Sequence, residues 1–262
     1  MTPNPQPDKD FPWWLVIVVV TGLYLFWEVL SDEVYAQALA TLSKGVKITV
    51  LVTLVAYVTA CVLGLLLALG GLSRWIVLRQ ACRLYIEVMR GVPIIVLLLY
   101  VAFVAVPALV AMWNWLGLPT ARARDVPLLW RAVAALALAY SAFLAEIFRA
   151  GLQAVDRGQI EAAEALGLNG WQRFRFIVFP QAFRMVLPPL GNDFVAMVKD
   201  SSLVSVLGVT DVTQLGKVTA AGNFRYFETY NVVALIYLTI TITLSLILRR
   251  IEARLRSRGR SE

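Results

Sequence analysis

Five long apolar runs decide what this chain can fold into: residues 13–30, 46–69, 86–112, 128–147 and 232–248. A helix that crosses a bilayer needs about 20 mostly apolar residues. The runs are too long for strands and show no period-two alternation, so each is expected to be helical. The composition agrees, with 60% hydrophobic and 16% charged residues, against roughly 45–50% and 25% in a soluble domain. An integral membrane protein is the class that fits.

A sixth stretch, 189–209, is apolar but carries Asn192, Asp193, Lys199 and Asp200. Charged groups at membrane depth cost about 2.5–3.5 kcal/mol each on insertion scales and are tolerated facing a partner helix or a wet cavity. Either these residues lie near the helix ends and pair locally, or the helix lines a polar pathway. Loop charge argues for keeping this stretch as a span, because Lys and Arg gather on the cytoplasmic side. With both chain ends inside, thirteen basic residues fall in cytoplasmic segments: Lys9, Arg74, Arg79, Arg83, Arg157, Arg173, Arg175, Arg249, Arg250, Arg254, Arg256, Arg258 and Arg260. Four fall outside, namely Arg122, Arg124, Lys217 and Arg225. The expected fold is therefore all-α and polytopic. The N-terminal MTPNPQPDKDF has no basic region of the kind that opens a signal peptide, so the first run is read as a retained span.

Several activities are disfavoured. The chain has no histidine, the commonest metal ligand and general base. Cys61 and Cys82 are far apart and read as small hydrophobes. No GxxxxGK[ST] phosphate loop is present; Leu215-Gly216-Lys217-Val218 lacks the first glycine and the final hydroxyl. A membrane enzyme thus has little support. No internal repeat of the kind common in secondary transporters is visible, yet an ion-coupled amino acid transporter stays open as the rival reading.

The segment RGQIEAAEALGLNGWQRFRFIVFP, residues 157–180, interrupts this oily pattern. Asp156 is a good N-cap, with Gln159 placed for a capping box. Ala, Glu and Leu favour helix, and Gly167 followed by Leu168 reads as a C′ glycine with an apolar residue after it. The expectation is a helix of about ten residues and 15 Å, too short to span. It would lie in the cytoplasm. Small residues at 162, 163, 165 and 167 allow close approach of another surface, with Glu161 and Glu164 available to basic partners. Such a rod suits docking into a groove on another protein, although a helix that merely closes a loop has the same local signature.

The spacing Glu161-Ala162-Ala163, then Gly167, then Ile177 and Pro180 resembles the EAA loop of ABC importer membrane subunits, with Phe179 where that motif has Leu. YIEVMRGVP (85–93), YSAFLAEIFRAG (140–151), PQAFRMVLPPLGNDF and VKDSSLVSVLG narrow the resemblance to the polar amino acid, or histidine/glutamine/arginine, permease type. Arg90-Gly91-Val92-Pro93 departs slightly from the usual RGTP of that type. The resemblance covers about residues 41–255. It implies a five-helix importer core plus one extra N-terminal transmembrane helix, both ends cytoplasmic. The divisions would be 1–40, tail and extra helix; 41–255, transmembrane domain with the coupling loop at 156–180; and 256–262, a basic cytoplasmic tail.

The resemblance further implies an inner-membrane subunit of an ATP-driven importer, not catalytic alone. Glu161, Ala162, Ala163 and Gly167 would dock a separate ATPase. ATP and Mg would be bound by that partner, with no cofactor in this chain. The expected partners are an ABC ATPase dimer, a second membrane subunit (identical or paralogous), a periplasmic or tethered amino acid-binding protein and membrane lipid, with no nucleic acid. For the substrate pathway the residues offer Glu146, Arg90, Asp193, Lys199 and Asp200. Glu146 and Arg149, three apart on one helix, can instead pair with each other. Pro93 should break or kink the helix that carries Arg90.

Overall fold

A computed structural model describes residues 13–258; Lys9 and Arg260, counted in the loop charges above, lie outside them. Every regular element among the described residues is helical: α1 (Trp13–Ser31), α2 (Glu33–Gly71), α3 (Ile76–Gly91), α4 (Ile94–Tyr100), α5 (Val106–Trp115), α6 (Leu128–Gln153), α7 (Arg157–Ala165), α8 (Gly170–Arg173), α9 (Phe179–Asp200), α10 (Val212–Asn223) and α11 (Tyr226–Arg258). Four stretches of the described residues are long and apolar enough to cross a membrane: Glu33–Gly71, Ile94–Trp115, Leu128–Gln153 and Tyr226–Ala253. Helix α1 contributes a shorter apolar stretch, Val19–Val29. The chain is thus an all-α polytopic membrane protein.

Two expected spans are redrawn. The run 86–112 is broken at Val92-Pro93, so α3 and its Arg90 are separate from the apolar helix that begins at Ile94. Proline lacks the N–H that would continue the ladder. The polar stretch 189–209 is shifted: its α-helix starts ten residues earlier, at Phe179, and gives way at Ser201–Leu207 to a 3-10 segment. Gly208 ends that segment at φ 76°, backbone that favours glycine.

Two π turns, Val101–Ala105 and Phe174–Val178, each run up to a helix carrying a proline in its first turn, Pro107 and Pro180. The missing proline N–H leaves the carbonyl four residues back unclaimed, which makes room for the wider turn.

Helices α2 and α6 form the spine. They approach closely at Gly64, where an added Cβ would lie 2.9 Å from the Ser141 carbonyl and 3.0 Å from Leu144 Cβ. The facing side of α6 is alanine-rich, with Ala132, Ala135, Ala139, Ala142 and Ala145 buried. In lipid no hydrophobic force separates helix from tail, so association depends on such close packing and on hydrogen bonds. One core unites α2, α4, α6 and the end of α9 around Leu98, Leu136, Leu144 and Met197. A second joins α1, α2, α10 and α11 through Val29, Leu42, Val212 and Val232.

Candidate functional site: the capped loop helix and the charged cleft

Helix α7 has a defined start and stop. Asp156 Oδ1 accepts the Gly158 N–H at 2.6 Å. At the other end Leu168 N–H donates to Ala163 O at 3.1 Å and Gly167 N–H to Glu164 O at 2.9 Å. With Gly167 at φ 79°, this is the Schellman stop expected from the sequence. The expected capping box is not made. Gln159 turns instead to α9, where its Oε1 accepts from Gln181 Nε2 at 2.6 Å.

That contact and an ion pair between Arg173 Nη1 and Glu164 at 2.8 Å brace α7 against the segment that follows. Helix α8 is itself closed by a capping box between Asn169 and Gln172. Glu161 and Ala162 are exposed, Ala163 is buried against the chain, and Gly167 is exposed. The helix therefore sits on one small residue and presents the others outward. Leu166 beside them is 82% exposed, a large apolar side chain at the tip of the loop.

The five charged candidates separate into two places. Arg90 and Glu146 line one cleft of about 420 Å³ between the end of α2, α3 and α6, together with Arg83, Glu87, Arg149 and Gln153. Glu146 pairs with Arg149 through both guanidinium Nε (3.3 Å) and Nη2, and Arg149 also donates to Gln153 at 3.0 Å. The local pair is thus formed, and it still faces the cleft. The Arg90 guanidinium lies 5.7 Å from the Phe143 ring centre, a cation–π arrangement.

Asp200 is elsewhere. Its carboxylate accepts from the buried Tyr140 hydroxyl at 2.7 Å. Asp193 is half-buried, one residue before Phe194, whose ring lies 4.8 Å from that of Tyr57. The Tyr57 hydroxyl donates to Leu190 O at 2.6 Å. Lys199 is exposed. Sequence reasoning missed the tyrosines: Tyr57 and Tyr140 stand as polar marks within apolar helices, but their partners are remote in the chain. It also missed Arg131, buried at the start of α6, which donates to the carbonyls of Val126 (2.9 Å) and Ala102 (2.6 Å) and to that of Ala123. Ala102 lies in the first π turn.

A helical membrane subunit with a rigid, braced, outward-facing loop helix is the class these features define. The family described as "Binding-protein-dependent transport system inner membrane component" matches residues 60–258. The chain is 38% identical over 215 residues to the probable amino-acid permease protein YxeN of Bacillus subtilis, covering 82% of this chain and 91% of that one. It is 36% identical over 223 residues to the glutamine transport system permease protein GlnP of Escherichia coli, covering 84% and 94%. A crystal structure of an amino acid ABC transporter with histidines is similar at 36% identity and a TM-score of 0.71, covering 86% of this chain and 97% of that one. The chain belongs to the binding-protein-dependent transport inner membrane family, in its polar amino acid branch. It is the membrane-spanning permease subunit of an ABC-type amino acid importer, a multi-pass protein of the bacterial inner membrane and not itself a catalyst.

Proposed function

We propose that α7 is the element through which a separate ATPase drives this permease. The observation that carries the proposal is its construction: a capped rod braced by Glu164–Arg173 and Gln159–Gln181, with Glu161 and Ala162 outward. A rod fixed at both ends transmits displacement to the spans, whereas a loose loop absorbs it. In this reading Ala163 seats the rod, Gly167 terminates it, and Glu161 and Ala162 meet the partner. Residues 156–180 form the cytoplasmic coupling loop of a transmembrane domain over 41–255. Residues 1–40 add a further N-terminal span, 256–262 form a basic tail, and both ends lie in the cytoplasm. The ATPase dimer supplies ATP and Mg, a second membrane subunit completes the pathway, and a periplasmic or tethered protein delivers the amino acid.

An imported substrate would pass the polar face of α9 with Asp193, Lys199 and Asp200, then Arg90 and Glu146 nearer the cytoplasmic loop. A mixed-charge cleft matches a zwitterion, whose carboxylate and ammonium need opposite partners. Cysteines placed at 146, 193 and 200 should react with a water-soluble thiol reagent in a nucleotide-dependent pattern. Uniform protection in both nucleotide states would reject this pathway.

A further inference from the structure

Between the coupling loop and the polar stretch of α9 runs a strip of neighbouring aromatic rings. Trp171 and Phe174 lie 5.9 Å apart, Phe174 and Phe179 6.0 Å, and Phe179 and Phe183 5.9 Å. Phe174 and Phe179 are five residues apart, a spacing that an α-helix would swing off one face. The π turn Phe174–Val178 restores the alignment, because its hydrogen bonds close over five residues. The strip extends over about 18 Å at the helical rise. It is not a core: Trp171 is 70% exposed, and Phe179 and Phe183 are exposed as well.

Within the segment that carries it, the charge has one sign. From Ala165 to Asn192 there are three arginines, Arg173, Arg175 and Arg184, and no acidic residue. Arg173 is engaged with Glu164. Arg175 and Arg184 are exposed, and neither joins an ion pair among the described residues. Tryptophan settles at the headgroup level of a bilayer, phenylalanine suits the apolar face of a segment lying at that interface, and basic residues near an anionic leaflet are drawn to it.

We infer that the strip Trp171–Phe174–Phe179–Phe183, with Arg175 and Arg184, is a seat for anionic phospholipid at the cytoplasmic face of the membrane. Because Arg173 links the strip to Glu164 of α7, the lipid surface fixes the level at which the coupling helix is presented. The inference rests on the proposed cytoplasmic placement of residues 156–180.

The test uses the assembled transporter in nanodiscs containing phosphatidylglycerol or phosphatidylcholine brominated near the carbonyl end of the acyl chain. Trp171→Phe isolates the share of emission due to Trp171 among the eight tryptophans. That share should be quenched at least twofold more by the brominated anionic lipid. The double variant Arg175→Gln/Arg184→Gln should equalise the two lipids while leaving the Trp171 signal in place. No quenching by either lipid would show the strip covered by protein, and equal quenching of the unaltered protein would remove the anionic preference; each overturns the inference. The readout needs no ATP. Failure of α7 as the docking element would therefore appear as loss of its cross-link to the ATPase, with the quenching unchanged.

Discussion

The Tyr140 hydroxyl donates a 2.7 Å hydrogen bond to the carboxylate of Asp200, tying the middle of α6 to the last residue of α9. Tyr140 is buried and Asp200 half-buried, so removal of the hydroxyl leaves the Asp200 acceptor short of a partner. Such a loss costs about 1–3 kcal/mol. Tyr140→Phe should lower the thermal inactivation midpoint of the purified protein more than Asp200→Asn, which keeps an acceptor for the hydroxyl. Equal midpoints for Tyr140→Phe and the unaltered protein would show that the bond contributes nothing.

The α2–α6 crossing gives a sharper contrast. A Cβ on Gly64 would press on the Ser141 carbonyl and the Ala145 nitrogen at 2.9 and 3.1 Å, backbone atoms that have little room to move. Gly64→Leu should destabilise by about 1–3 kcal/mol, the range for overpacking. Gly71→Ala meets nothing within 4 Å and should be neutral or slightly stabilising. Detergent stability of the two variants, measured side by side, checks the pair.

Arg131 has backbone partners in the first π turn and in the loop before α6. Lysine offers a single ammonium on a shorter reach and lacks the planar fork. Arg131→Lys should therefore behave as a disruptive change, leaving at least the buried Ala102 carbonyl unpaired, at about 1–3 kcal/mol. Protease accessibility of the segment 117–127 should rise in this variant. Unchanged accessibility would mean that Arg131 does not hold the loop.

At Gly167 the constraint is the backbone alone, since φ is 79° and no atom stands within 4 Å of an added Cβ. A β-branched residue in this left-handed conformation costs about 1–2 kcal/mol, whereas Asn adopts it readily. Gly167→Val should uncouple ATP hydrolysis from transport and Gly167→Asn should largely preserve it. Full transport and substrate-stimulated ATPase in Gly167→Val would refute the role of this turn.

The sequence made legible whatever is local. Asp156, Gly167 and Leu168 announced the ends of α7 because caps are written in adjacent residues. Pro93 announced the break that sets Arg90 apart from the following span. The pairing of Glu146 with Arg149 was one of two open readings, since a three-residue spacing permits but does not require it. What stayed hidden depends on distant parts of the chain. Gln159 was placed for its own N-cap, yet Gln181, twenty-two residues on, captured it. Tyr140 and Asp200 are sixty residues apart, and no spacing rule joins them. The π turns were also illegible, although Pro107 and Pro180 mark where a carbonyl would be released.

The most direct measurement is site-specific cross-linking of α7 to the ATPase in assembled transporter. Ala162→Cys, on the exposed face, should cross-link to the ATPase subunit, and Ala163→Cys, buried against its own chain, should not. Labelling of Ala162→Cys by an impermeant thiol reagent from the outer side of the membrane, with no cross-link to the ATPase, would contradict the account.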